Sequence, residues 1–122
     1  MSHKDAAEFV GVLLHSSTAT HYLHLNTASY AAHKALGHYY ENIVDLADKF
    51  AEAYQGHNGI MPLGDYPEGF KVQTDATAYA ESLLTYVKGM RKELPQDTDL
   101  QNIIDEIVAE IVTLIYKLKR FK

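Results

Sequence analysis

The tightest constraint on the fold lies near the C-terminal end. Between Asp99 and Phe121, the residues Leu100, Ile103, Ile104, Ile107, Val108, Ile111, Leu114, Ile115 and Leu118 recur at spacings of three and four. That period lays them along one side of an α-helix. The stripe is wide enough to serve an internal core and a subunit contact together. Three earlier stretches carry the same period. Lys4 to Leu25 supplies Phe9, Val10, Val12, Leu13, Leu14, Tyr22, Leu23 and Leu25. Tyr30 to Gln55 supplies Leu36, Tyr40, Ile43, Ala47, Phe50 and Tyr54, and Asp75 to Glu93 supplies Tyr79, Leu83, Leu84, Val87 and Met90. Helix-start signals precede each stretch: Ser2 with Asp5 as a capping box, Thr27 or Ser29, Thr74, and Asp97 or Thr98. Gly56 is read as the stop of the second helix. Residues 56–73 contain Gly56, Gly59, Pro62, Gly64, Pro67 and Gly69, which exclude regular structure. A connection of that length can cross from one end of a bundle to the other. The expected architecture is all-α: one four-helix domain over residues 1–122, antiparallel and ferritin-like in its connectivity, with the long loop between helices two and three.

Composition narrows the function classes. The chain has 122 residues and no cysteine, so disulfides, thiolate zinc sites and cysteine nucleophiles are excluded. A formal charge of −5 argues against binding duplex DNA by bulk electrostatics. No apolar run approaches a membrane span, and the first residues lack a secretory hydrophobic region, so a cytoplasmic protein is expected. Seven His and nine Tyr remain to be explained. Both side chains join a flat apolar body to a polar handle, which suits interfaces and ligand sites.

The second helix concentrates the polar chemistry. At about 100° per residue, His33, Glu41, Asp45, Asp48 and Glu52 fall within an arc of roughly 120°, away from the apolar stripe. Gly37 lies in the same arc and leaves a bare patch. The ordinary reading of such a face is solvation. The functional reading is a metal site of oxygen and imidazole ligands, completed from another element because one helix face cannot surround an ion. His21 and His24 stand one turn apart on the first helix and are the nearest candidates.

The order His24-Leu25-Asn26, Tyr30-Ala31-Ala32-His33, Asp48-Lys49-Phe50-Ala51-Glu52 and Gly59 resembles the signature of the Dps proteins of the ferritin-like superfamily. The resemblance covers roughly residues 8 to 60. It implies a homo-oligomer with a ferroxidase site for iron, or another divalent metal, between two subunits. His24 or His21 and His33 would come from one subunit, and Asp48 and Glu52 from its neighbour. The sequence departs from the signature at Leu25 (Trp in the family), at Gly37 (a carboxylate) and at Ala53 (Arg). Glu41, one turn beyond Gly37, is the residue that can partly replace the missing carboxylate. There is no Lys-rich N-terminal tail, so nucleic acid is not an expected partner.

Other motifs are weaker. No Glu is followed three residues later by His, so the di-iron centre inside a single ferritin bundle is not expected. Gly64 to Lys71 lacks the Gly-Lys-Ser/Thr ending of a phosphate loop. Two further functions compete with the metal site. In the first, the chain, which resembles small phage proteins in its overall look, is a non-enzymatic decoy. Tyr22, Tyr30, Tyr39 and Tyr40 would stack on a flat nucleotide-type signal of host immunity, with His38 near its phosphates. In the second, the protein is a structural oligomer with no ligand.

Overall fold

The computed structural model describes residues 3–64 and 71–122. Helix α1 spans Lys4–Asn26, α2 Tyr30–Asn58, α3 Ala76–Met90 and α4 Thr98–Arg120, with one 3₁₀ turn over Arg91–Glu93 after α3. The four apolar stripes close on one another around a single core. Phe9, Leu13, Ile43, Phe50, Ile104, Ile107 and Ile111 are all fully buried within it. Phe9 and Phe50 meet edge to face at 5.0 Å near its middle. No helix among the described residues is long and apolar enough to cross a membrane.

Side-chain pairs fix the direction of each helix. Along α1 and α2, His3 meets Tyr54, Ser16 meets Tyr39 and His24 meets His33, so these two run antiparallel. Along α2 and α4, Asn42 bonds Glu110, Lys49 pairs with Glu106 and His57 with Asp99, again antiparallel. The Lys119–Glu81 and Arg91–Asp105 pairs orient α3 against α4. Tyr86 donates to Glu8 from the end of α3 to the start of α1. The ring of neighbours is therefore α1, α2, α4, α3, each antiparallel to the next. It follows that α2 and α3 run the same way, and the segment between them must cross the bundle. This is the single-crossover connectivity expected from the long 56–73 stretch.

Several boundaries differ from the sequence reading. Helix α2 does not stop at Gly56 but continues to Asn58, and Gly59 ends it at φ +89°. A helical glycine costs about 1 kcal/mol relative to alanine. Here the last turn is held by other contacts: Tyr54 is buried, Asn58 donates to the Tyr54 carbonyl at 3.1 Å, and His57 bonds Asp99 at 2.8 Å. The cap of α3 is Asp75, not Thr74; its carboxylate accepts from the Ala78 N–H at 3.0 Å. At the start of α1, His3 occupies the cap position without a capping side-chain bond. Ser2 of the expected capping box lies outside the described residues, as does most of the Gly64–Lys71 stretch. Leu14, Tyr22 and Leu25, assigned to the apolar face of α1, are exposed. In α2 the core position belongs to Tyr39, and Tyr40 is half-buried beside it. The Tyr39 hydroxyl explains the exchange: it donates to Ser16 Oγ at 2.8 Å, while Ser16 donates to the Leu13 carbonyl at 2.6 Å. Burial pushes the Tyr39 phenol well above its ordinary range, so it stays a neutral donor.

Candidate functional site: a histidine and tyrosine cleft

The site begins with a short turn. Thr27 Oγ1 accepts from the Ser29 N–H, and Ser29 Oγ accepts from the Ala32 N–H, which starts α2 at once. The last turn of α1 and the first turn of α2 are thereby held side by side. His24 and His33 face each other across that junction with ring centroids 3.7 Å apart and planes 19° from parallel. Each imidazole also bonds the other's main chain. His33 Nδ1 donates to the His24 carbonyl at 2.9 Å, and His24 Nδ1 donates to the His33 carbonyl. A carbonyl oxygen only accepts, so both neutral rings carry their proton on Nδ1. Each Nε2 is left with its lone pair.

Gly37 makes this arrangement fit. A Cβ on Gly37 would lie 3.0 Å from Cε1 and 3.1 Å from Nδ1 of His24. The bare patch in the helix-two stripe is thus the seat of the His24 ring. A carboxylate at this position, as in the Dps signature, would collide with that ring. One turn back on α1, His21 lies flat on Tyr40 at 4.0 Å, and Tyr40 meets His24 edge on at 5.3 Å. Tyr30, the first residue of α2, lies at 6.3 Å from His33 and 24° from parallel. Five rings from two helices therefore form one aromatic wall.

A cleft of about 690 Å³ opens against this wall. His24, His33, Gly37, Tyr40 and Glu41 line one side, and Lys34, His38, Lys117 and Phe121 the other. Lys117 and Phe121 come from the last turn of α4, which antiparallel packing brings beside the start of α2. His38 is held at the rim: Asn42 bonds His38 Nε2 at 2.9 Å and donates to Glu110 at 3.2 Å. Neither Lys34 nor Lys117 has a carboxylate partner among the described residues, whereas Lys49 and Lys119 pair with Glu106 and Glu81. Two free ammonium groups against the single carboxylate of Glu41 make the cleft cationic. Lys34, Lys117 and Phe121 went unassigned in the sequence reading because only the fold brings the end of α4 to the start of α2.

The remaining candidates are scattered. Asp48 and Glu52 are exposed on α2, about 22 and 28 Å along the axis from His33. They have no hydrogen-bond or ion-pair partner among the described residues. Tyr39 is enclosed in the core and has no face for a ligand, and Tyr22 is exposed on α1 outside the cleft lining. Between the two candidate first-helix ligands, His24 is the one paired with His33.

Among the described residues, the group that brings three metal-type ligand atoms within 4.8 Å is a different one: His57, Asp97 and Asp99. Its composition follows from helix ends. His57 occupies the last turn of α2, where the dipole favours a cation, and the aspartates flank the start of α4, where it favours anions. The Asp99 bond and charge raise the His57 pKa above its usual value, and His57 in turn lowers that of Asp99.

Residues 24–118, from His24 at the cleft almost to the end of α4, match the model of a family of unknown function, DUF5856. The chain belongs to DUF5856. The match spans every lining residue of the cleft except Phe121. This DUF5856 chain is also similar to an uncharacterized 14.6 kDa protein of the mobD-ri intergenic region of Enterobacteria phage T4. The two are 33% identical over 104 residues, covering 85% of this chain and 80% of the phage protein. No solved structure matches it.

Proposed function

We propose that the protein is a non-enzymatic binding protein that takes a small, planar, anionic ligand into the cleft and removes it from solution. The observation that carries this reading is the joining of an aromatic wall to two unpaired lysines in one space of about 690 Å³. That size lies within the range of small-molecule sites and far exceeds what a bare ion needs. Flat rings on one side supply stacking surface, and ammonium groups on the other attract negative charge. The likeness to a phage protein fits a decoy that sequesters a host signal of nucleotide type. Native mass spectrometry of protein purified from infected or signalling-competent cells tests the reading. A bound organic mass, lost in Tyr40→Ala, is expected. Protein that carries no small molecule, and shows no thermal shift with any planar anion, would overturn it and leave the structural role.

A second reading rests on one specific observation. Main-chain carbonyls hold His24 and His33 with Nδ1–H engaged and Nε2 open, the arrangement that orients histidine ligands at metal sites. In a Dps-like homo-oligomer, those nitrogens would take ferrous iron together with Glu41 and with Asp48 and Glu52 of a neighbouring copy. Anaerobic ferrous titration followed by oxygen tests this. Saturable binding lost in His33→Ala supports it; the same absorbance change in wild type and His33→Ala counts against it.

A further inference from the structure

We infer that the ligand is a nucleoside phosphate, its base taken between Tyr30 and His33 and its phosphate held by Lys34 and Lys117. The inference rests on the reading of the cleft as a ligand site and adds the chemical class.

The aromatic wall has closed pairs and one open pair. His24 on His33 and His21 on Tyr40 are in contact at 3.7 and 4.0 Å, so nothing enters between them. Tyr30 and His33 are nearly parallel but stand 6.3 Å apart. Stacked bases repeat at about 3.4 Å, so two rings enclosing a third are separated by about 6.8 Å. The pair is therefore within about half an ångström of that spacing. The two jaws also differ in mobility. His33 is backed by His24 and tied to it by the reciprocal carbonyl bonds. Tyr30 is 74% exposed at the first residue of α2, so a side-chain rotation adjusts the gap without moving backbone.

The charges are placed to match. Lys34 follows His33 directly, and Lys117 enters from α4 on the opposite side. The cluster Lys117, Lys119, Arg120 and Lys122 is at first sight a helix end answering its dipole. The structure divides it: Lys119 turns outward to Glu81, whereas Lys117 is half-buried in the cleft wall without a carboxylate. Two ammonium groups suit a phosphate carrying between one and two negative charges better than a single carboxylate. A neutral aromatic ring would leave both charges unanswered.

Calorimetry with the four ribonucleoside 5′-monophosphates, the four parent nucleosides and a planar aromatic carboxylate tests the class. At least one nucleotide should bind about tenfold or more tightly than its nucleoside, the scale of charge-assisted hydrogen bonds in an open site. In K34A/K117A that ratio should collapse toward one, and in Y30A nucleotide and nucleoside should weaken together. Ring protons of Tyr30 should move upfield on nucleotide addition. These side chains lie at the surface, so an unchanged helical signal and melting temperature will certify the variants as folded. A nucleoside that binds as tightly as its nucleotide, or a K34A/K117A variant with the wild-type ratio, overturns the inference. If only the aromatic carboxylate binds, the inference falls and the cleft reading stands. If no probe binds, the inference falls, and co-purification decides the fate of the cleft itself.

Discussion

Gly37→Ala separates the role of Gly37 as a ring seat from its role as a helix residue. On propensity alone, alanine in the interior of α2 should stabilise by up to about 1 kcal/mol. The new Cβ, however, would stand 3.0 Å from His24 Cε1, closer than carbon atoms tolerate. The ring must shift by a few tenths of an ångström or leave. Leaving forfeits a side-chain bond to the His33 carbonyl, worth about 1 kcal/mol, and an aromatic contact worth about 0.5–1.5 kcal/mol. The sum is a net loss of about 0.5–1 kcal/mol. Gly89→Ala is the internal control. Gly89 is helical in α3 and a Cβ there would meet nothing within 4 Å, so this variant should gain about 0.5–1 kcal/mol. The two variants should therefore differ by about 1–2 kcal/mol, or roughly 5 °C in melting temperature. Urea melts give the energies, and histidine ring NMR reports whether His24 has moved. A Gly37→Ala variant as stabilised as Gly89→Ala, with an unmoved His24 signal, would refute the assignment of Gly37 as the seat of the ring.

Further outcomes follow from the same contacts. Ser16→Ala strands the buried Tyr39 hydroxyl and should cost about 1–3 kcal/mol, whereas Tyr39→Phe leaves Ser16 bonded to Leu13 and should cost only about 1 kcal/mol; denaturant midpoints would rank the two. The His57–Asp99 pair gives a pH signature. Because the folded pKa of His57 is raised, its contribution is complete below its unfolded value and is lost as pH rises through the folded one. Because that of Asp99 is lowered, its contribution is present above the unfolded carboxyl value and is lost as pH falls through the folded one. The stability difference between wild type and His57→Gln should thus shrink above the His57 titration seen by NMR. A difference that persists at alkaline pH would mean the ring acts by packing. Homo-oligomer formation, expected from the Dps resemblance and the exposed Val112 and Tyr116 on α4, is read by light scattering at several concentrations.

The helices and their order were legible because apolar period survives in any single sequence. The core positions Phe9, Leu36, Phe50 and Ile104 stood where the stripes put them. Boundaries were harder, because Gly56 and Thr74 carry the right local chemistry and lost to contacts made elsewhere, by His57 with α4 and by Asp75 with Ala78. The candidate site was legible by residue type and not by partnership. His24, His33 and Tyr40 could be singled out, but Tyr39 and Tyr40 are adjacent and a 100° turn sends one to the core and the other to the cleft. The carboxylates of α2 could be placed on one face, yet a face shared is not a point shared: Asp48 and Glu52 lie turns away from His33. Lys117 could not be joined to His33 at all, since 84 residues separate them in sequence and only the antiparallel pairing of α2 with α4 brings them together.

The crossover between α2 and α3 divides the molecule into two helical hairpins, α1 with α2 and α3 with α4. The aromatic wall belongs to the first, while Lys117 and Phe121 belong to the second. Neither hairpin owns a whole cleft. A chain nicked in the connection would become two complementary fragments, and capture of a ligand would then report their reassociation. The same division couples occupancy to assembly in the intact chain: whatever bridges the two walls also holds the hairpins together, and it should slow their separation more than the breathing of either one.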